Sequence, residues 1–288
     1  MTPTAARADW QCVMIAWGEK YGAPDINRIV RGVRRHSDPP PRFLLISDRP
    51  REGLDAAVEV IPYVDWWLKE EFRRGSCQAK LVMFEAGVLP DAPTVFVDLD
   101  TAILGDLSRA IDLMRTPRDV WMLQSVVLPF GWPGRLVYRL TGGRRYARGN
   151  SSVVVFRPGE CGDIAERFRQ LYERHGGLGI RPMISDERFI SWAAQMRAHA
   201  LPRDVAVKFP NEYMHPWRWV LRLRGLLPWV RARRRAAAAV TLPGPAIKPE
   251  ELLDMAEGTA IRDPKGRWLL WDRQAMGDMG ARLQTYFS

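Results

Sequence analysis

Thr94-Val95-Phe96-Val97-Asp98-Leu99-Asp100-Thr101 is the stretch that decides how this chain is read. Four apolar or β-branched residues in succession make a short buried strand, and Asp98 stops it. Asp98 and Asp100 are two positions apart, so in extended backbone their side chains project to the same side. Two neighbouring carboxylates repel, and a hard divalent cation is the usual reason for both to stay ionised. Mg²⁺ or Mn²⁺ held in this way keeps coordination sites for phosphate oxygens. The position matters as much as the motif, because ligands in α/β sheets bind beyond the carboxyl ends of the strands.

Outward from this pair, apolar runs alternate with amphipathic stretches. Residues 11–17 (QCVMIAW) and Arg42–Ser47 (RFLLIS) predict buried strands, and 58–61 (VEVI) a short third. Between the first two, Ile26, Ile29, Val30 and Val33 fall on one helical face after Pro24-Asp25. Cys77, Lys80, Leu81, Phe84 and Val88 recur at helical spacing behind Ser76, a candidate cap. Further strands are predicted at 119–124 and 152–156, with helical faces at Leu107, Ala110, Ile111, Met114 and at Ile164, Phe168, Leu171, Tyr172. Strands alternating with helices predict an α/β fold with a mostly parallel central sheet. No internal repeat or low-complexity linker divides the chain, so a single domain over 1–288 is expected.

Two segments stand apart. Residues 128–150 (LPFGWPGRLVYRLTGGRRYARGN) mix Pro, Gly, aromatics and arginines and read as a long loop between strands, on the acceptor side of any active site. Residues 217–235 (WRWVLRLRGLLPWVRARRR) are aromatic, aliphatic and basic. Trp219, Val220, Leu223, Leu226, Leu227 and Val230 line one helical face there, while Arg218, Arg222 and Arg231 point elsewhere and Pro228 interrupts. This composition suits a helix lying on an anionic membrane surface; the plainer alternative is a packing helix with a solvated basic side.

The 288 residues carry 43 Lys+Arg against 33 Asp+Glu, a formal charge of +10, and only six of the basic residues are lysine. Arginine's planar fork suits phosphate and carboxylate, so anionic partners are expected, although an Arg-rich, Ala-rich composition also follows from a GC-rich genome. No helix-turn-helix, zinc-finger or ribonucleoprotein pattern accompanies the charge, and nucleic acid is not the expected partner. Forty-five Pro and Gly residues are too few for a disordered or collagen-like chain. Cys12, Cys77 and Cys161 form no CxxC or Cys/His cluster and read as buried thiols. Neither a signal peptide nor a membrane span is apparent, which makes a cytoplasmic chain with reduced thiols the expectation.

An apolar strand ending in Asp-x-Asp also opens haloacid dehalogenase-type phosphohydrolases, where the first Asp is a nucleophile. Those normally place Thr or Val four residues after that Asp, near the start of the domain, and carry a late acidic pair. Here the fourth residue is Ala102, the motif follows several βα elements, and the late pair is missing.

The ordered set of motifs instead resembles bacterial GT-A-type glycosyltransferases, especially those related to the retaining glycosyltransferase family eight. Lys80 resembles that family's helix-borne basic residue, and Asp98 and Asp100 its metal-binding Asp-x-Asp. Residues 17–21, from Trp17 to Tyr21, resemble the donor-nucleotide loop. Gly149-Asn150-Ser151-Ser152-Val153 resembles the Asn-Ser-Gly-Val segment beside the donor sugar, with Ser152 in place of Gly. Ser185-Asp186-Glu187 resembles an Asp-Gln dyad opening an active-site helix. Residues 242–249 (LPGPAIKP) resemble Phe-His-Gly-x-x-Lys-Pro, with Lys248 as its lysine.

What the resemblance implies is a GT-A (Rossmann-like) hexosyltransferase that moves a sugar from a nucleotide-sugar, UDP-linked by preference, to a cell-surface glycan or lipid-linked acceptor. Mn²⁺ or Mg²⁺ on Asp98 and Asp100 would assist the leaving diphosphate. Lys80 would add a positive charge, Asn150 and Ser151 would bind the donor, and Asp186 would orient the sugar or the acceptor hydroxyl. Plainer roles stand beside these: a solvated lysine for Lys80, a turn for Asn150 and Ser151, a helix-dipole acid for Asp186. One departure matters. The family's third metal ligand is the histidine of its last motif, and this chain has Pro243 there. A non-catalytic nucleotide-sugar-binding or glycan-assembly protein with a degenerate metal site is therefore the second expectation.

Overall fold

The computed structural model describes residues 9–74, 77–124, 128–243, 247, 252, 254–262 and 268–288. The chain gathers into two compact units. One comprises Met1–Ile26, Pro39–Leu99 and Ser108–Leu201, the other Asn27–Asp38, Asp100–Leu107 and Pro202–Ser288.

The first unit is built on a seven-stranded sheet. Its strands are β1 (Gln11–Ala16), β2 (Arg42–Ser47), β3 (Val58–Pro62), β4 (Thr94–Val97), β6 (Val120–Gln124), β7 (Gly149–Phe156) and β8 (Ala198–Ala200), with β5 (Thr101–Ile103) lying in the other unit. Their order is β3-β2-β1-β4-β7-β6-β8. All neighbours run parallel except β7, which is antiparallel to both β4 and β6. The sheet is thus mostly parallel, as expected. Every residue of β1 and β4 is buried, which is why both read as unbroken apolar runs without alternation. The edge strand β3 is largely exposed. Against the sheet packs an aromatic cluster in which the ring centroids of Trp66, Trp67, Phe72, Phe168, Tyr172 and Phe189 lie 4.7–6.3 Å from their neighbours.

Two local expectations change. The helix expected behind Ser76 is a 3₁₀ helix, Gln78–Phe84, entered through Cys77 at φ 56°. Six of its seven residues are buried, so no single face needs to repeat at 3.6 residues. Ser76 lies outside the described residues. The segment 128–150 is not one long loop, because it contains an α-helix, Trp132–Leu140. Pro133 sits in the first turn, where its missing N–H costs nothing. Gly131 precedes the helix at φ 98°, and Gly142 and Gly143, both at positive φ, close it. The residues that looked like loop formers are its terminators.

In the second unit a three-stranded sheet orders β5, β10 (Ala239–Thr241) and β9 (Ala206–Lys208), and β11 (Ala260–Arg262) pairs antiparallel with β12 (Trp268–Leu270). Its core includes Phe209, Tyr213, Val240, Leu242, Trp271, Met279 and Leu283. Pro228 does not merely interrupt the basic segment; it starts a second helix, Pro228–Ala236, after Arg218–Leu226. The expected apolar face is divided as well. Val230 is buried, Leu221 anchors the first helix, and Trp219, Leu223 and Leu226 face outward. Arg218 and Arg222 both reach the buried carboxylate of Asp272, at 3.3 and 3.1 Å. Among the described residues no helix is long and apolar enough to cross a membrane.

Candidate functional site

Strand direction gathers the site at one edge of the large sheet. β1, β2 and β4 are parallel, so the chain leaves them at the same edge at Trp17, Asp48 and Asp98. β7 is antiparallel to β4 with Val97 opposite Val153, which brings its first residues, Asn150 to Ser152, to that edge too. The Asp98 amide donates to the Ser152 carbonyl at 2.8 Å and fixes this junction.

Lys80 comes in from the 3₁₀ helix, and its Nζ lies 2.6 and 2.7 Å from the two oxygens of Asp98. It is not a solvated lysine: both side chains are more than four-fifths buried. Burial works against the ammonium, but the charges of Asp98 and Asp186 outweigh it and hold the Lys80 pKa above the ordinary lysine value. Gln78, two residues earlier, donates from Nε2 to the Met183 carbonyl at 2.9 Å and ties this helix to the segment that leads into Asp186.

Asp186 opens the helix Asp186–Ala193 but does not cap it; the Ser185 hydroxyl does, accepting from the Arg188 amide. Asp186 turns inward, fully buried, and accepts from Ser151 Oγ at 2.5 Å. Burial pushes its carboxyl up to about 6, with Lys80 and Ser151 opposing the shift. Beside it Asn150 Nδ2 donates to Glu187 Oε2 at 3.0 Å. Two adjacent β7 residues thus pair with two adjacent helix residues, and the four form one polar wall.

The loop 17–21 is held by two residues that the sequence reading passed over. Asp48 Oδ2 accepts from the Gly18 amide at 3.0 Å. Arg51 donates to the Tyr21 carbonyl at 2.6 Å and to the Gly18 carbonyl at 3.0 Å. Gly18 has φ 64°, the left-handed turn that lets both backbone groups face these partners. The signal for Asp48 was present, since it is a carboxylate directly after a buried strand, as Asp98 is. Trp17 packs half-buried against the core, and Lys20 Nζ sits 4.9 Å from the centre of the Tyr21 ring.

No protein-family model and no curated protein matches the sequence. Solved structures do match. The galactosyltransferase LgtC, crystallised with donor and acceptor sugar analogues, aligns with TM-score 0.57 over 96% of this chain and 95% of its own, at 16% identity. The bifunctional glycosyltransferase WbbM aligns with TM-score 0.56 over 84% of this chain and 47% of its own, at 12% identity. GlyE of Streptococcus pneumoniae gives TM-score 0.54 over 96% of this chain and 60% of its own, at 11% identity. The fold is that of GT-A glycosyltransferases.

On this GT-A fold, Lys80, Asp98, Asn150, Ser151 and Asp186 come together, together with Glu187. Asp100 belongs to the other unit, where its carbonyl accepts from the Leu242 amide at 3.0 Å. That pairing sets Pro243 one residue beyond Asp100's partner, the place where the resemblance asks for a histidine. A proline ring offers a metal no lone pair. Asp98, for its part, is engaged by the Lys80 ammonium, and among the described residues no three His, Cys, Asp or Glu side chains cluster for a metal. Pro243 therefore cannot supply the third ligand that the resemblance implies. Lys248 lies outside the described residues.

Proposed function

We propose that this chain is a hexosyltransferase moving a sugar from a nucleotide-sugar, UDP-linked by preference, to a cell-surface glycan or lipid-linked acceptor with retention at the anomeric carbon. The observation that carries the proposal is the Lys80–Asp98 pair set against the Ser151–Asp186 pair at the strand edge of a GT-A fold. Breaking a glycosidic bond to a nucleoside diphosphate leaves growing negative charge on the phosphate oxygens. An ammonium already fixed in a water-poor site stabilises that charge without reorganising. Lys80 fills this role, and Asp98 keeps it aimed and charged. Asn150 Nδ2 has a second hydrogen for the sugar hydroxyls beside the one given to Glu187, Ser151 Oγ, whose proton goes to Asp186, accepts from them, and Asp186 orients the sugar or the acceptor hydroxyl. Asp48 and Arg51 are positioning residues that hold the 17–21 loop for the nucleotide. Retention rests only on the resemblance of the motifs to the retaining glycosyltransferase family eight.

The 217–235 segment supports a place for the protein at the cytoplasmic face of a membrane, where lipid-linked acceptors are assembled. Trp217, Trp219, Leu223, Leu226 and Trp229 are each more than half exposed, and Arg231 and Arg235 are exposed beside them, while the other arginines of the segment pair with Asp272 and Glu212. A second reading, a donor-binding protein without turnover, is favoured by Pro243 alone. One assay separates the two. The purified protein is given UDP-sugars, with Mn²⁺ and with chelator, and free UDP is followed together with the anomeric proton signals of the product. Release of UDP that is lost in Lys80→Met and Asp98→Ala supports transfer. Nucleotide binding without release in every condition supports the second reading.

A further inference from the structure

The helix Trp132–Leu140 carries an exposed apolar stripe that the donor site does not use. Trp132 is 76% exposed, Leu136 48% and Leu140 77%, and their i, i+4, i+8 spacing places them in one row. The helix is seated by the opposite side. Gly134, buried and half a turn round from that row, lies so close to the Pro129 carbonyl and Ala147 that a Cβ there would come within 2.6 and 2.9 Å of them. The stripe is therefore held outward by the packing, and large apolar side chains lined up in water mark an interaction surface.

Charge identifies what the surface meets. Residues 128–150 contain five arginines and no acidic residue. Arg139 on the helix and Arg144 and Arg145 in the turn that closes it are exposed. The Gly143 amide donates to the Tyr138 carbonyl at 2.8 Å, folding the turn that leads into the two arginines back on the helix end. A convex helix with one Trp and two Leu in a row, flanked by unopposed arginines, fits an acyl–headgroup boundary. Single-stranded nucleic acid would instead ask for several aromatic platforms in a groove.

We propose that Trp132–Leu140 is a membrane-docking helix for anionic bilayers, acting in addition to the 217–235 segment and carried by the other unit of the chain. It does not depend on the glycosyltransferase assignment, because the surface binds lipid whether or not a donor is turned over.

The test uses the full chain without nucleotide and vesicles of phosphatidylcholine alone or mixed with phosphatidylglycerol. Binding is followed by co-sedimentation and by a polarity-sensitive dye placed through Leu140→Cys in a Cys77→Ser background. The expected result is binding to the mixed vesicles only, weakened by salt, with a blue-shifted dye. The double variant Leu136→Ser/Leu140→Ser should lower the partition coefficient by about tenfold or more. Trp219→Ser/Leu223→Ser should lower it further when combined. Both pairs are solvent-exposed, so folding is checked simply by an unchanged melting midpoint. The proposal is overturned if the Leu136/Leu140 variant binds as the parent does, or if the dye stays water-exposed while the chain sediments. It is equally overturned if the variant's effect is to dissociate a dimer, which would make the stripe an interface between copies.

Discussion

Asp186 is where burial and neighbouring charge oppose each other most directly. Its carboxyl stands at about 6 in the folded protein, against about 3.9 in an unfolded chain. The folded state binds that proton more tightly, so the contribution to stability is full below about pH 4 and is lost as pH rises through 6. Asp186→Asn removes the dependence. In urea titrations its stability relative to the parent should grow by up to about 3 kcal/mol between pH 4 and pH 7. A difference that stays flat with pH would contradict the assigned environment. Turnover should rise through pH 6 in the parent, because orienting a hydroxyl requires the carboxylate. Lys80→Met should lower turnover by about 10²–10³-fold, the usual effect of losing one preorganised stabiliser of a leaving charge, while Lys80→Arg keeps part of it. Asp98 was legible as a candidate because a motif and a strand end coincide there, while Lys80 was singled out only through the resemblance. The Ser151–Asp186 bond was not, since it joins residues 35 positions apart that only the antiparallel turn of β7 brings together. Asp48 went unread for lack of a motif, although its position is the same as that of Asp98.

At the level of elements, the strands were the readable part. β1, β2, β4 and the later half of β7 are continuous apolar runs, and burial on both faces is what makes them so. Helices were harder where Pro and Gly serve as start and stop signals. In the 128–150 segment these residues bound a helix, and in 217–235 Pro228 begins one. The same reasoning makes Gly134 a sensitive position. Gly134→Ala forces a methyl against the Pro129 carbonyl and Ala147, and thermal unfolding should show a loss of about 1–3 kcal/mol despite alanine's better helix propensity. A gain in midpoint would mean that the helix seats differently. Ser185→Ala should cost about 1 kcal/mol by leaving the Arg188 amide without its cap, and it should do so without moving the pH dependence assigned to Asp186.

Across the whole molecule, a charge of +10 and the arginine excess have a structural outlet as well as a functional one. Glu212, buried in the second unit, lies within 2.7–3.8 Å of Arg203, Arg224, Arg233 and Arg234. Glu212→Gln would leave these cations facing one another, and a loss of about 3–5 kcal/mol is expected in chemical denaturation. The fold as a whole was visible in the alternation of strands and helices. The division into two units was not, because each unit is assembled from three separated segments and no linker composition marks the joins. Asp98 and Asp100, two positions apart in the motif, take different neighbours: Asp98 pairs with Lys80, while the backbone of Asp100 is bound to Leu242 in front of Pro243. The central claim is a donor-nucleotide site that uses Lys80 where the three-ligand metal site is incomplete. The most direct measurement is the melting midpoint of the full chain with UDP, GDP and CDP, each with Mn²⁺ and with chelator, in the parent and in Lys80→Met. A ligand that binds only the native state must raise the midpoint. The account predicts a rise with UDP that persists in chelator and is lost in Lys80→Met. No rise with any nucleotide, or an equal rise in the variant, would contradict it.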